Sequence, residues 1–133
     1  MKSTMILEEL SGKIIGAFFT VYNTLGHGFL ERVYQNALMM ELQKIGLHPE
    51  QQKKLEVYYD GKIVGEYYSD IVVNDLVILE LKKADAIAPE HEAQLINDRK
   101  ATTIELGLLF NFGSKPQFIR RVLSNENKNI HHG

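Results

Sequence analysis

The sequence predicts an α/β domain of three layers, α/β/α, around one central mixed sheet. Three observations carry that expectation: two runs of apolar residues at helical spacing in the first 45 residues, three strand-like runs between 53 and 82, and a closing strand–helix–strand pattern. At 133 residues the chain suits a single domain with a core of its own. The expected domain spans residues 1–123, with 124–133 a polar, flexible tail whose His131 and His132 belong to a frayed end rather than to a metal site.

The elements follow in order. Over residues 4–25, Leu7, Leu10, Ile14, Phe18, Val21 and Leu25 recur three or four apart, the stripe of an amphipathic helix. Gly26-His27-Gly28 breaks that helix, and a second one carries Leu30, Val33, Tyr34, Ala37, Leu38, Leu42 and Ile45 up to Gly46. In residues 53–60, Leu55, Val57 and Tyr59 alternate, and Asp60-Gly61 is a two-residue hairpin signal. A long strand over 62–73 and a third over 76–82 follow. The third is uncharged and apolar from Leu76 to Leu79, so it belongs at the centre of the sheet, covered on both faces. Pro89 suits the first turn of a helix, with Glu90 and Glu92 near its positive end. Strands over 103–113 and 117–123 complete the order α-α-β-β-β-α-β-β, the crossover being parallel and right-handed.

Composition excludes several chemistries. With no cysteine there are no disulfides, thiolate metal sites or cysteine nucleophiles. The longest uncharged run, 14–30, is interrupted by Asn23, Gly26, His27 and Gly28, and a membrane span needs about 20 apolar residues. Acidic residues enter before any signal-peptide core, so a cytoplasmic location is expected. The net charge of −2 does not advertise nucleic-acid binding, and the pairs Lys53-Lys54, Lys82-Lys83, Arg99-Lys100 and Arg120-Arg121 read as solvated surface. A chain this near neutrality would need a local basic surface or a bound cation to handle phosphates.

The stretch 70-DIVVNDLVILELK-82 places three charges in otherwise apolar strands. If Asn74-Asp75 alone made the turn, Asp70 would oppose Leu79, and Glu80 and Lys82 would form an ordinary same-face ion pair. With one more residue in the turn, Asp70 opposes Glu80, and two carboxylates lie about 5 Å apart beside a lysine. Like charges so placed are destabilising in a sheet, whereas Mg²⁺ takes one or two carboxylates together with waters and phosphate oxygens. Both registers are open at this point, and D-x₉-E-x-K by itself is a common pattern.

Gly28-Phe29-Leu30-Glu31-Arg32-Val33-Tyr34 matches the G-x-x-E-x-x-Y signature of the small GxxExxY proteins, placed in the PD-(D/E)XK nuclease-like superfamily. The resemblance extends through LGHGFLERVYQNAL, YYSDIVVNDLVILELK, HEAQLIN and GLLFNFG, in that family's order and spacing. It implies a restriction-endonuclease-like core and metal-dependent hydrolysis of phosphodiester bonds in nucleic acid, DNA ahead of RNA, with Mg²⁺ or Mn²⁺. By the resemblance Asp70 and Glu80 are the metal ligands, and Lys82 orients water or stabilises charge on the phosphate. Glu31 is an additional acid and Gln94 a glutamine that positions water or phosphate. Gly28 and Tyr34 complete the motif, and Ser69 replaces the proline of the superfamily's name.

The residues also admit plainer roles. Glu31 and Tyr34 are same-face helical neighbours, so Glu31 could accept the Tyr34 hydroxyl, and Gly28 could serve backbone geometry. His91 and Gln94 sit one turn apart on a helix surface. Where the family usually continues with an aromatic and a leucine, this chain has Asp98 and Arg99. Asp98 and the acidic net charge favour a competing reading: a catalytically weak or inactive nucleic-acid-binding or protein-interaction module on a nuclease scaffold. A homodimer is one way for so small a chain to grip a duplex, although no heptad or apolar stripe calls for one.

Overall fold

The structure, a computed structural model, describes residues 2–100 and 102–122, with the side chains of 5–97 and 102–122. The expected tail at 124–133 and the side chain of Asp98 lie outside the described residues. The elements are α1 (Lys2–Leu25), α2 (Glu31–Lys44), β1 (Pro49–Tyr59), β2 (Lys62–Val73), β3 (Val77–Lys82), α3 (Pro89–Lys100), β4 (Leu106–Phe112) and β5 (Pro116–Val122). Among the described residues, no helix is long and apolar enough to cross a membrane.

The strands form one sheet in the order β1-β2-β3-β4-β5, antiparallel except for the parallel pair β3–β4 that α3 connects. This is the predicted mixed sheet, with β3 at its centre. Alternation along the strands divides the core. Ile71, Val73, Val77, Leu79, Leu81, Leu108 and Phe110 face the two-helix layer of Leu10, Ile14, Phe18, Tyr34, Leu38 and Leu42. Val72, Ile78 and Leu109 face the other way, with Leu95 of α3 and Leu55 of β1. Phe18 lies between two rings of β4, stacked on Phe110 at 4.4 Å and edge-on to Phe112 at 4.9 Å. Burial of a ring like this contributes on the order of 1.5–3 kcal/mol.

The boundaries shift where polarity disguises structure. β1 starts at Pro49 rather than near 53, and its polar first residues pair with Ile71 to Val73. Proline is tolerated there because β1 is an edge strand. Asp60 and Gly61 form the expected two-residue turn, with φ of 52° and 74° between the paired Tyr59 and Lys62.

Candidate active site at a fork in the sheet

The turn between β2 and β3 decides the register. Val73 pairs with Val77, so the loop holds three residues, Asn74, Asp75 and Leu76. Both Asn74 and Asp75 adopt φ of 54°, a conformation that Asn and Asp tolerate better than most side chains. Asn74 exchanges two hydrogen bonds with the backbone of His48, its Oδ1 accepting from His48 N–H at 2.7 Å and its own N–H donating to His48 O at 2.9 Å. Lys53 bonds Asp75 at 2.7 Å. The pairing Ile71–Leu79, continued by one residue, sets Asp70 opposite Glu80. Of the two turn lengths open in the sequence, the structure takes the longer one, whose register brings Asp70 and Glu80 to corresponding positions just past the last paired residues, Ile71 and Leu79.

Pairing of β2 with β3 stops at that point. Ser69 and Tyr68 continue along β1, opposite Lys53 and Lys54, while Glu80, Leu81 and Lys82 continue along β4, opposite Leu109, Phe110 and Asn111. The sheet therefore forks between β2 and β3, and Asp70 bridges the fork. Its Oδ2 accepts the Leu81 N–H at 2.8 Å, in place of a backbone carbonyl. Glu80 is only 8% exposed, and a carboxylate at that depth needs compensating partners. Asp70 and Lys82 are half-buried. Lys82 forms no ion pair among the described residues.

The remaining candidates separate. Tyr34 is fully buried against Phe112 at 4.3 Å, and its hydroxyl donates to Gly26 O at 2.6 Å and accepts Phe29 N–H at 3.2 Å. It ties down the α1–α2 junction, and its hydroxyl is not held by Glu31. Gly28 has φ of 113°, a conformation suited to glycine. Glu31 is exposed in the first turn of α2, where its charge suits the helix N-terminus, and it shares no hydrogen bond with Asp70 or Lys82 among the described residues. Gln94 is exposed on α3, next to the buried Leu95. His91 is a helix cap: its Nδ1 accepts Ala88 N–H at 3.1 Å, in the manner of a capping box. Asp70, Glu80 and Lys82 gather at the fork; Glu31 and Gln94 stand on helices of opposite layers.

The model of the PD-(D/E)XK nuclease superfamily matches residues 8–122, nearly the whole described chain. The chain belongs to the PD-(D/E)XK nuclease superfamily. A solved structure titled "Crystal structure of SSO0001" is 15% identical, with a TM-score of 0.56, the match covering 70% of this chain and 50% of that one. The chain thus spans about half the length of that relative, and the likeness concerns the fold. No curated protein matches it.

Nucleases of this superfamily generally use divalent metal ions. The donor set at the fork fits such an ion: two opposed carboxylates supply hard oxygens, and waters and phosphate oxygens complete the shell of Mg²⁺. Among the described residues, no three His, Asp or Glu side chains converge to enclose a metal by themselves. The end of the central strand is also held in place, by a residue that the sequence reading passed over. Asn111 of β4, fully buried beside Lys82, accepts Ala84 N–H at 2.9 Å and donates to Ala84 O at 3.0 Å and Gln117 Oε1 at 3.3 Å. Gly113 leaves the room this clasp requires, since a Cβ there would lie 2.0 Å from Ala84 O. A lone polar Asn inside the apolar run GLLFNFG was the available signal.

Proposed function

We propose that this chain is a metal-dependent nuclease of the GxxExxY type, acting on DNA ahead of RNA through one domain over residues 1–123. The observation that carries the reading is the fork, where β2 and β3 part beside two opposed carboxylates, one of which takes a strand N–H. Asp70 and Glu80 would hold Mg²⁺ or Mn²⁺, a cation that would polarise a phosphoryl oxygen and lower the pKa of bound water. Lys82, next on the same face of β3 after Glu80, supplies positive charge where the phosphate becomes more negative during attack. Asn111 keeps the chain after Lys82 in place. Glu31 and Gln94 act at the periphery, reaching substrate or water when nucleic acid lies over the fork.

The test is cleavage of labelled single- and double-stranded DNA and RNA with Mg²⁺ or Mn²⁺, by wild type and Lys82→Ala. Loss of one such charge-stabilising group lowers the rate by about 10²–10³-fold. Lys82→Ala is expected to lose cleavage on that scale while retaining metal binding. Equal cleavage by the variant would remove Lys82 from the mechanism.

The second reading, a catalytically weak or inactive binding module, is favoured by the exposure of Glu31 and Gln94 on helices of opposite layers and by the net charge of −2. Nucleic-acid binding without metal-dependent cleavage of any of the four substrates would support it.

A further inference from the structure

β1 and β2 change faces where the fork opens. Gln51 pairs with Ile71, which faces the α1–α2 layer, so strict alternation would put Leu55 and Tyr67 in that layer too. Leu55 and its partner Tyr67 pack instead with Val72 and Leu95 on the α3 side. The two-stranded ribbon beyond the fork has therefore rolled over. The roll falls at Gln52 and Asp70, which stand opposite each other between the pairs Gln51–Ile71 and Lys53–Ser69.

The backbone of Gln52 makes the roll. Its φ is 54°, and among the described residues it is the only non-glycine residue with a left-handed φ outside the turns at Asp60 and Asn74-Asp75. Such a residue persists only where its surroundings hold it. What holds Gln52 is Gln35 of α2, which is 4% exposed. Gln52 Nε2 donates to Gln35 Oε1 at 3.1 Å, and Gln51 Nε2 donates to the same oxygen at 2.7 Å and to Asn36 Oδ1 at 2.8 Å. Two consecutive strand residues, which alternation would send to opposite faces, thus end on one atom. Across the ladder, the Asp70 carboxylate accepts the Leu81 N–H. A strand N–H points sideways in the plane of the sheet, so the side chain that accepts it lies between the strands rather than on a face.

We propose that Gln35 is a positioning residue for the fork: by latching Gln52 in its left-handed conformation it fixes the roll of the ribbon, and so holds the Asp70 carboxylate at the Leu81 N–H, where it meets the cation. The bearing on the cation rests on the nuclease reading of the fork; the placement of Asp70 does not.

The test is amide hydrogen exchange, read by NMR on the full metal-free chain, with the Leu81 rate taken relative to that of Leu108, fully buried in β4. Gln35→Met and Gln52→Ala are each expected to speed Leu81 by roughly fivefold on this scale, the worth of one hydrogen bond. Gln52→Gly should stay near wild type, because glycine takes the left-handed conformation without help, and should restore Gln35→Met when the two are combined. A general loosening of the core would move Leu108 as well and show no such rescue. Mn²⁺ titration of the same proteins should follow the same order, with several-fold weaker binding by Gln35→Met and Gln52→Ala. A Leu81 rate unchanged in Gln35→Met, or Gln52→Ala and Gln52→Gly behaving alike, would overturn the latch. So would Mn²⁺ bound by wild type and no less tightly by Gln35→Met. Wild type that takes up no Mn²⁺ while the Leu81 pattern holds removes the nuclease reading of the fork and leaves the placement of Asp70 standing.

Discussion

Asp70 has two duties in this account, and two substitutions separate them. Its carboxylate satisfies the N–H of Leu81, a residue 1% exposed, and it stands opposite the carboxylate of Glu80. Asp70→Ala removes the acceptor and leaves a buried strand N–H unpaired, at a cost of about 1–3 kcal/mol. Asp70→Asn keeps an acceptor oxygen at the same reach. It loses the charge-assisted part of the bond but also relieves like-charge opposition across the strands, worth roughly 0.2–1 kcal/mol. Without metal, Asp70→Asn is therefore expected within about 1 kcal/mol of wild type, and Asp70→Ala about 2 kcal/mol below it. For a chain of this size that gap is a Tm difference of roughly 5–10 °C. Thermal and urea unfolding in EDTA measure it. Asp70→Ala as stable as wild type, or Asp70→Asn falling as far as Asp70→Ala, would contradict this role of the Asp70 carboxylate.

Two further predictions concern the frame around the fork. Asn111→Ala leaves both polar groups of Ala84 without their side-chain partner and should cost about 2–3 kcal/mol, read as a drop in urea midpoint at unchanged slope. The Lys53–Asp75 pair at the β2–β3 turn gives a pH signature: the hydrogen bond from Lys53 lowers the Asp75 pKa from its ordinary 3.8, and the hydrogen bond to Asp75 raises that of Lys53 from 10.5. The Asp75 contribution is present above its ordinary value and lost as pH falls through the lowered one. The Lys53 contribution is present below its ordinary value and lost as pH rises through the raised one. Asp75→Asn should thus lower stability at neutral pH by less than about 1 kcal/mol, the pair being exposed, and match wild type in acid below the lowered Asp75 value.

Much of the architecture was legible because periodicity and burial coincide. The stripe from Leu7 to Leu25 became the face of α1, and the apolar run before Glu80 became the central strand. Polar pairing was not legible. Pro49 to Gln51 form strand because β2 offers them a ladder, with no apolar signal of their own. The register at Asp70 was undecidable because Asn74-Asp75 suits either turn length; His48 and Lys53, distant in sequence, hold the longer one. Glu31 and Tyr34 looked like partners at helical spacing, yet the Tyr34 hydroxyl turns to Gly26 and Phe29. Asn111 escaped notice because its role exists only once Ala84 lies against it.

The most direct test of the central claim is calorimetric titration of Mn²⁺ and Mg²⁺ into metal-free wild type and Asp70→Asn. Wild type is expected to bind the cation, and Asp70→Asn to lose that binding while remaining folded. Equal binding by both proteins would contradict it, because the cation would then sit somewhere other than the fork.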